Sequence, residues 1–408
     1  MTDWDAITKR TLADLELADP IYRPTNFWDP GIRRLMDDMR TIGLDTFKSW
    51  PTAGIWFYPT YGSGFTRAMI ERTFQFAASL NPAVQKAWFT TTLSGALQAR
   101  RDFDAVRVAW DQTRWPFDIE GLGESEVGKP PQIFRLMGSG GAGWTRPYLN
   151  YLLCLAALSR HMTAPPKRFL EIGGGFGALG EIVMSRDPDA CYVDFDLPPL
   201  TTVASFYLQA LFDGRVSIFD DTIPDRGPIK VSGSACLPNW RIGDVGGPFD
   251  VFFNSFSFQE MEPDVVEHYV RQVAAKDVSY VVSLNSILGK TRAADGDEGG
   301  VIDPVTSDRI IAMFEACGYE LLERHGDPLI QSAGEIAVLR RAGLTARATT
   351  VLGARPGIST VDYRARPIAR PPTPRTPERS PSRLAGFARD WVPPKILREA
   401  RRLRARRR

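Results

Sequence analysis

Residues 167–183 read Lys-Arg-Phe-Leu-Glu-Ile-Gly-Gly-Gly-Phe-Gly-Ala-Leu-Gly-Glu-Ile-Val, and residues 191–200 read Cys-Tyr-Val-Asp-Phe-Asp-Leu-Pro-Pro-Leu. An apolar strand, Arg168–Ile172, runs into a glycine-rich turn that opens a helix. A second strand, Cys191–Phe195, ends among acids. Glycine allows a tight turn and close backbone approach. The free N–H groups of the helix start face whatever the turn holds. A carboxylate at the end of the second strand can accept hydrogen bonds from ribose hydroxyls. The stretch reads as a nucleotide-cofactor site in an α/β sheet.

Two readings of the glycines compete. Gly175-x-Gly177-x-x-Gly180 satisfies the dinucleotide fingerprint, whereas Glu171-x-Gly173-x-Gly175-x-Gly177 satisfies the acid-x-G-x-G-x-G pattern of class I methyltransferases. Only the second gives Glu171 a task. At the carboxyl end of the first strand it can meet the ammonium group of S-adenosylmethionine, where it would repel a dinucleotide's pyrophosphate. S-adenosylmethionine is therefore the expected cofactor. The rival is an NAD-dependent sugar oxidoreductase or epimerase. Such enzymes often carry Tyr-x-x-x-Lys, and no tyrosine here is followed four residues later by lysine.

A chain of 408 residues can bury a full α/β core and still hold a second unit. Its 43% hydrophobic and 24% charged content fits a soluble protein. The longest apolar run, Tyr148 to Leu158, is too short to span a bilayer and contains Asn150. The polar start, Met1-Thr2-Asp3-Trp4-Asp5, does not read as a signal peptide. Cys154, Cys191, Cys236 and Cys317 lack paired spacing, which points to buried thiols in a reducing cytoplasm.

The formal charge of +2 hides a division. Residues 341–408 hold 18 of the 50 Lys+Arg and 4 of the 48 Asp+Glu, which leaves 32 basic and 44 acidic residues before them. A mildly acidic body carries a strongly basic tail.

The expected organisation has three parts: a mainly helical cap and acceptor region over 1–145, a cofactor-binding domain over 146–342, and a Pro/Arg-rich linker with a basic helix over 343–408. In the first, Ile32–Ile42 and Ala68–Leu80 show helical spacing. In the second, strands and helices alternate as in a Rossmann-like doubly wound sheet with helices on both faces. Strands are expected at Arg168–Ile172, Cys191–Phe195, Val216–Phe219 or Ile229–Ser232, Phe249–Asn254 and Ser279–Leu284. Tyr319–Arg324 and Glu335–Arg340 should close the sheet as an antiparallel edge. Helices are expected over Ala178–Ser185, Pro199–Leu211, Pro263–Ala275 and Ser307–Cys317.

In the third part, Arg366–Pro381 is too rich in Pro, Arg, Thr and Ser to form a core. Pro393–Arg408 places Ile396, Leu397, Ala400 and Leu403 on one face of a basic helix. It reads as a solvated tail, or as a surface helix for anionic lipid or an acidic partner. Cytoplasmic placement, peripheral to a membrane, would follow from the second option. No recognition motif accompanies the charge, so a nucleic-acid partner is not expected.

A second constellation lies at Phe249-Asp250-Val251-Phe252-Phe253-Asn254-Ser255-Phe256-Ser257-Phe258-Gln259-Glu260-Met261. Its apolar run reads as a buried parallel strand, and ligands in open α/β sheets lie over the loops that follow such strands. Together, Glu171–Gly177, Asp194–Pro199 and Asn254–Met261 resemble a family of sugar O-methyltransferases that use S-adenosylmethionine. Tyr22–Trp28, Pro59–Gly62 and Glu126–Pro130 add to the resemblance, which covers roughly residues 20–340.

The resemblance implies cofactor binding by Gly173, Gly175 and Gly177, with Glu171 beneath them, Asp196 on the ribose and Asn254 at the next strand end. Its acceptor would be a sugar hydroxyl on a glycan or glycosylated metabolite. Transfer from a sulfonium is governed by positioning, and a base must take the hydroxyl proton. Glu260 is the first candidate base and His325 the second. Trp28, Trp56, Tyr58, Tyr61 and Gln259 are the expected acceptor contacts. Asp220, Asp221 and Asp225 are explained as well by a turn as by a metal, and no spacing demands an ion. A non-catalytic scaffold in a glycan pathway is the remaining alternative.

Overall fold

The computed structural model describes residues 2–62, 71–72, 75–85, 94–110, 115, 119, 121–135, 141–219, 229, 233–293, 300–326 and 334–344. The expected Arg366–Pro381 linker, the Pro393–Arg408 helix, Asp220, Asp221, Asp225 and residues 68–70 and 73–74 of the expected Ala68–Leu80 helix lie outside these residues.

The chain divides into two units, residues 1–63 with 90–345 and residues 64–89 with 346–408. In the smaller unit, residues 75–77 and 82–85 are helical, and the Gln85 side chain donates to the Ala77 carbonyl at 3.1 Å.

The larger unit is built on β1 (Arg168–Ile172), β2 (Cys191–Asp196), β3 (Val216–Ser217), β4 (Ser234–Pro238), β5 (Val251–Ser255), β6 (Tyr280–Ser286), β7 (Tyr319–His325) and β8 (Gly334–Arg341). Their order across the sheet is β3-β4-β2-β1-β5-β6-β8-β7. All neighbours from β3 to β6 pair in parallel, and β8 is antiparallel to both β6 and β7. The Rossmann-like fold and its antiparallel edge are therefore as expected. The chain reverses direction across the sheet between β1 and β5, which opens a crevice above their carboxyl ends.

Alternation along the strands fills two apolar layers. Phe169, Tyr192 and Phe253 face one layer, while Leu170, Val193 and Phe252 face the other. Burial on both faces is the rule for parallel sheets, and each fully buried side chain of this size contributes about 1.5–3 kcal/mol. The inner strand Ser234–Pro238 falls later than either expected stretch, while β3 keeps only Val216–Ser217 and Ile229 forms an isolated bridge to Val245. Ser-Ala-Cys-Leu-Pro lacks the β-branched residues that announce a strand. Its complete burial beside β2 supplies the drive instead.

Among the described residues, nine α-helices surround this sheet: α1 (Trp4–Leu17), α2 (Asp29–Ile42), α3 (Ala53–Trp56), α4 (Ala96–Trp110), α5 (Arg146–Ser159), α6 (Ala178–Arg186), α7 (Leu200–Phe212), α8 (Pro263–Ala274) and α9 (Ser307–Ala316). Thr145 caps α5 by accepting from the Tyr148 amide, and Thr306 caps α9 by accepting from the Arg309 amide. No side chain caps α6. The left-handed Gly177, at φ 88°, turns the chain into it, a conformation glycine adopts without cost. Gly180 serves packing, because a Cβ there would lie 2.7 Å from the Tyr192 ring.

A buried ionic cluster ties the N-terminal segment to α6 and α7. Lys48 Nζ lies 2.7 Å from Glu124 Oε1 with both side chains fully buried, and donates to Tyr207 Oη and the Ser125 carbonyl at 3.0 Å each. Tyr207 donates to Glu181 at 2.7 Å, and the Ser125 amide donates to its other oxygen at 2.8 Å. Burial lowers the Lys48 pKa, and pushes Glu181 up to about 7 with help from Glu124.

Candidate cofactor and acceptor site

A cavity of about 500 Å³ opens at the carboxyl ends of β1, β2, β5 and β6. Its volume is in the range of small-molecule sites. One wall is the glycine turn. Gly173 and Gly175 line it with φ of 73° and 65°. A Cβ on Gly173 would sit 2.1 Å from Ser257 Oγ, so only glycine lets the turn after β1 approach the loop after β5. Beside the turn, Asp196 lines the cavity and accepts from the Gly175 amide at 2.9 Å and the Leu197 amide at 2.7 Å. Each oxygen keeps a second lone pair for a ligand hydroxyl. Burial pushes this carboxyl up to about 7. The turn and the acid fit a nucleoside.

Glu171 does not line the cavity. It is fully buried, and its two oxygens accept from Tyr151 at 2.7 Å and Tyr192 at 2.6 Å. The expectation that it meets an ammonium group is corrected accordingly: the acid anchors Tyr151 of α5, which itself lines the cavity. Asp194, one residue pair back along β2, accepts from the Gly174 amide at 3.1 Å and holds the turn from beneath.

The other wall comes from distant parts of the chain. Glu260 closes a 3-10 turn, Phe258–Glu260, after β5 and lines the cavity. Its carboxylate lies 2.7 Å from Lys290 Nζ and accepts from the Trp28 side chain. Burial pushes Glu260 up to about 7 against the pull of Lys290. Lys290 also sits 4.5 Å from the Phe27 ring centre, within cation–π range. Thr25 donates to the Glu260 carbonyl at 3.0 Å, fastening the N-terminal segment to this loop. Gln259 lines the cavity too, its Oε1 accepting from the Ser286 amide at 2.6 Å.

Trp56 and Trp28 face the cavity with ring centres 5.2 Å apart. The Trp56 Nε1 is buried without a hydrogen-bond partner among the described residues. Such a donor is costly to leave unmet, and a ligand oxygen would satisfy it.

Five further expected site residues do not line the cavity. Gly177 instead starts α6. His325 is the last residue of β7 rather than part of a loop facing the cavity. It packs with Glu323 and Arg160, whose guanidinium lies 3.0 Å from its Nε2. Burial raises the Glu323 pKa, but hydrogen bonds from His161, His325 and Arg160 hold it far below the usual range. Asn254 lies inside β5, where it donates to the Ile172 carbonyl at 3.0 Å and accepts from Phe258 and Asn285. It ties β1 to the next loop without lining the cavity. Tyr58 donates to Glu124 at 2.9 Å and Tyr61 to Asp102 at 2.6 Å, so both belong to the core.

Sequence reading missed Lys290, Trp28 as a partner of Glu260, and the α5 residues Arg146 and Asn150, which also line the cavity. The (i, i+4) spacing of the last two was the available signal. Among the described residues, no cluster of His, Cys, Asp and Glu could hold a metal ion. The four cysteines are free, and no described helix is long and apolar enough to cross a membrane.

No protein-family model matches the chain, and no curated protein matches it. Among solved structures it is similar to the pyocyanin biosynthetic protein PhzM, at 15% identity over 48% of this chain and 58% of that one, with a TM-score of 0.32. It is similar to the mitomycin 7-O-methyltransferase MmcR at 14% identity, 84% and 76% coverage and a TM-score of 0.32. The magnesium protoporphyrin IX methyltransferase ChlM from Synechocystis PCC 6803, with bound SAH, follows at 10% identity, 44% and 75% coverage and a TM-score of 0.31. The chain thus spans little more than half the length of PhzM. Likeness at this level assigns no substrate or reaction to the chain.

Proposed function

We propose that the protein is an S-adenosylmethionine-dependent O-methyltransferase acting on a sugar hydroxyl of a glycan or glycosylated metabolite. One observation carries this reading: a single cavity is lined both by the glycine turn with Asp196 and by the buried Glu260 carboxylate.

When bound, S-adenosylmethionine supplies a methyl group on an already activated sulfonium. Gly173 and Gly175 hold the backbone close to it, and Asp196 accepts from the ribose hydroxyls. Glu260 would take the proton of the acceptor hydroxyl, freeing that hydroxyl oxygen to receive the methyl group the cofactor would supply. A carboxyl raised to about 7 suits that task near neutral pH. Trp28 and Trp56 offer aromatic faces for a sugar ring. Gln259 offers its amide nitrogen to a neighbouring hydroxyl, its oxygen being taken by Ser286.

Calorimetric titration with S-adenosylmethionine and with NAD tests the first step, and binding of NAD alone would overturn the reading. Transfer of a labelled methyl group to a panel of sugars tests the second. Cofactor binding with no transfer to any of them would favour a non-catalytic scaffold.

A further inference from the structure

Among the described residues, three cationic side chains and two acids line the cavity. Lys290 is neutralised by Glu260. Asp196 is engaged by two backbone amides, and Arg23 is an exposed residue at the rim. That leaves Arg146, half-buried in the first turn of α5. Its guanidinium lies 3.5 Å from the Thr60 carbonyl and 6.0 Å from the Tyr61 ring centre, and among the described residues it meets no carboxylate.

Asn150 lies one turn further along and also lines the cavity half-buried. Residues four apart share one helix face. The next residue, Tyr151, is hooked to Glu171 at the carboxyl end of β1. Tyr151 thereby fixes α5 beside the carboxyl end of β1, and Arg146 and Asn150 line the same cavity as the glycine turn that follows β1. A partly desolvated guanidinium held beside an amide donor matches the oxygens of a carboxylate.

We propose that Arg146 and Asn150 form a carboxylate-binding subsite at the end of the cavity next to the glycine turn. Two carboxylates can supply the ligand: the methionyl group of the cofactor, or an acid group on the sugar acceptor. The proposal rests on the methyltransferase reading. It also gives the amino-acid end of the cofactor a partner that Glu171, turned toward two tyrosines, does not provide.

The test compares S-adenosylhomocysteine with 5′-deoxy-5′-methylthioadenosine, which keeps the nucleoside and thioether but lacks the carboxylate. In calorimetric titrations Arg146→Gln should weaken S-adenosylhomocysteine about 10- to 100-fold and leave methylthioadenosine unchanged. Asn150→Asp, nearly isosteric but of like charge, should show the same selectivity and serves if Arg146→Gln does not fold. If the acceptor supplies the carboxylate, neither nucleoside responds. Glucuronate binding to the S-adenosylhomocysteine-loaded protein is then lost, while glucose binding is kept. Equal weakening of both nucleosides, or no response of either nucleoside or of glucuronate, overturns the subsite. Wild-type protein that binds neither nucleoside overturns the methyltransferase reading, and the subsite falls with it.

Discussion

The two walls of the cavity are made in different ways. The cofactor wall, from β1 through the glycine turn to Asp196, is one continuous stretch of 29 residues between 168 and 196. Its function lies in the backbone: positive φ at Gly173 and Gly175, and amides aimed at Asp196. The wall proposed for the acceptor is gathered from residues near 25, 56, 260 and 290, and works through side chains. A backbone site is specified locally, whereas a side-chain site is specified only when the whole domain closes.

The sharpest way to break this comparison is Glu260→Gln. Loss of the base should cost about 10²- to 10⁴-fold in turnover while S-adenosylhomocysteine affinity stays at the wild-type value. Unaltered turnover in a stopped radiolabel assay would remove Glu260 from its role. A comparable loss of nucleoside affinity would mean that the two walls are not separable.

Lys48→Met attacks what joins the walls. It leaves Glu124 and Glu181 buried without their cation, at a cost of about 3–5 kcal/mol in unfolding free energy. Urea unfolding measures it, and a loss below about 1 kcal/mol would show that the pair is not acting as a buried bridge.

Lys290→Met probes the acceptor wall alone. Glu260 must be ionised to accept a proton, so kcat/KM should rise with pH through about 7. Removing the neighbouring cation leaves only the Trp28 hydrogen bond against burial and moves that limb up by about one to two pH units. Lys290→Arg should restore it, and a pH profile identical in all three proteins would dissociate the pair from the chemistry. The smallest effect is expected of Tyr58→Phe. Losing the hydrogen bond to Glu124 should cost about 1 kcal/mol of stability with kcat/KM unchanged. A fall in kcat/KM would return Tyr58 to the acceptor site.

Legibility in the sequence follows the same division. Gly173, Gly175 and Asp196 could be read onto the cavity, and Gly177 onto the helix start, because strand, turn and helix each have a local signature. Gly180, which looks like part of a fingerprint, is a packing residue against Tyr192. Over residues 56–61 the aromatic run was visible but its facing was not. Trp56 and Phe57 line the cavity, while Tyr58 and Tyr61 turn to buried acids 66 and 41 residues away. Asn254 and His325 were misplaced because each strand runs one residue further than its apolar pattern. Lys290 carried no signal at all: its meaning depends on Glu260, 30 residues earlier, across β6 and a helix.

The Lys48 cluster also bears on how the chain is made. Its ammonium needs the Ser125 carbonyl and the Tyr207 hydroxyl, 77 and 159 residues later. At roughly 5–20 residues per second of synthesis, the N-terminal segment emerges about ten to thirty seconds before Tyr207 exists. Until then the Lys48 ammonium lacks one of its buried hydrogen-bond partners, and burying it early would leave that donor unmet. The N-terminal segment is therefore synthesised early and fastened to α7 only after residue 207 has appeared.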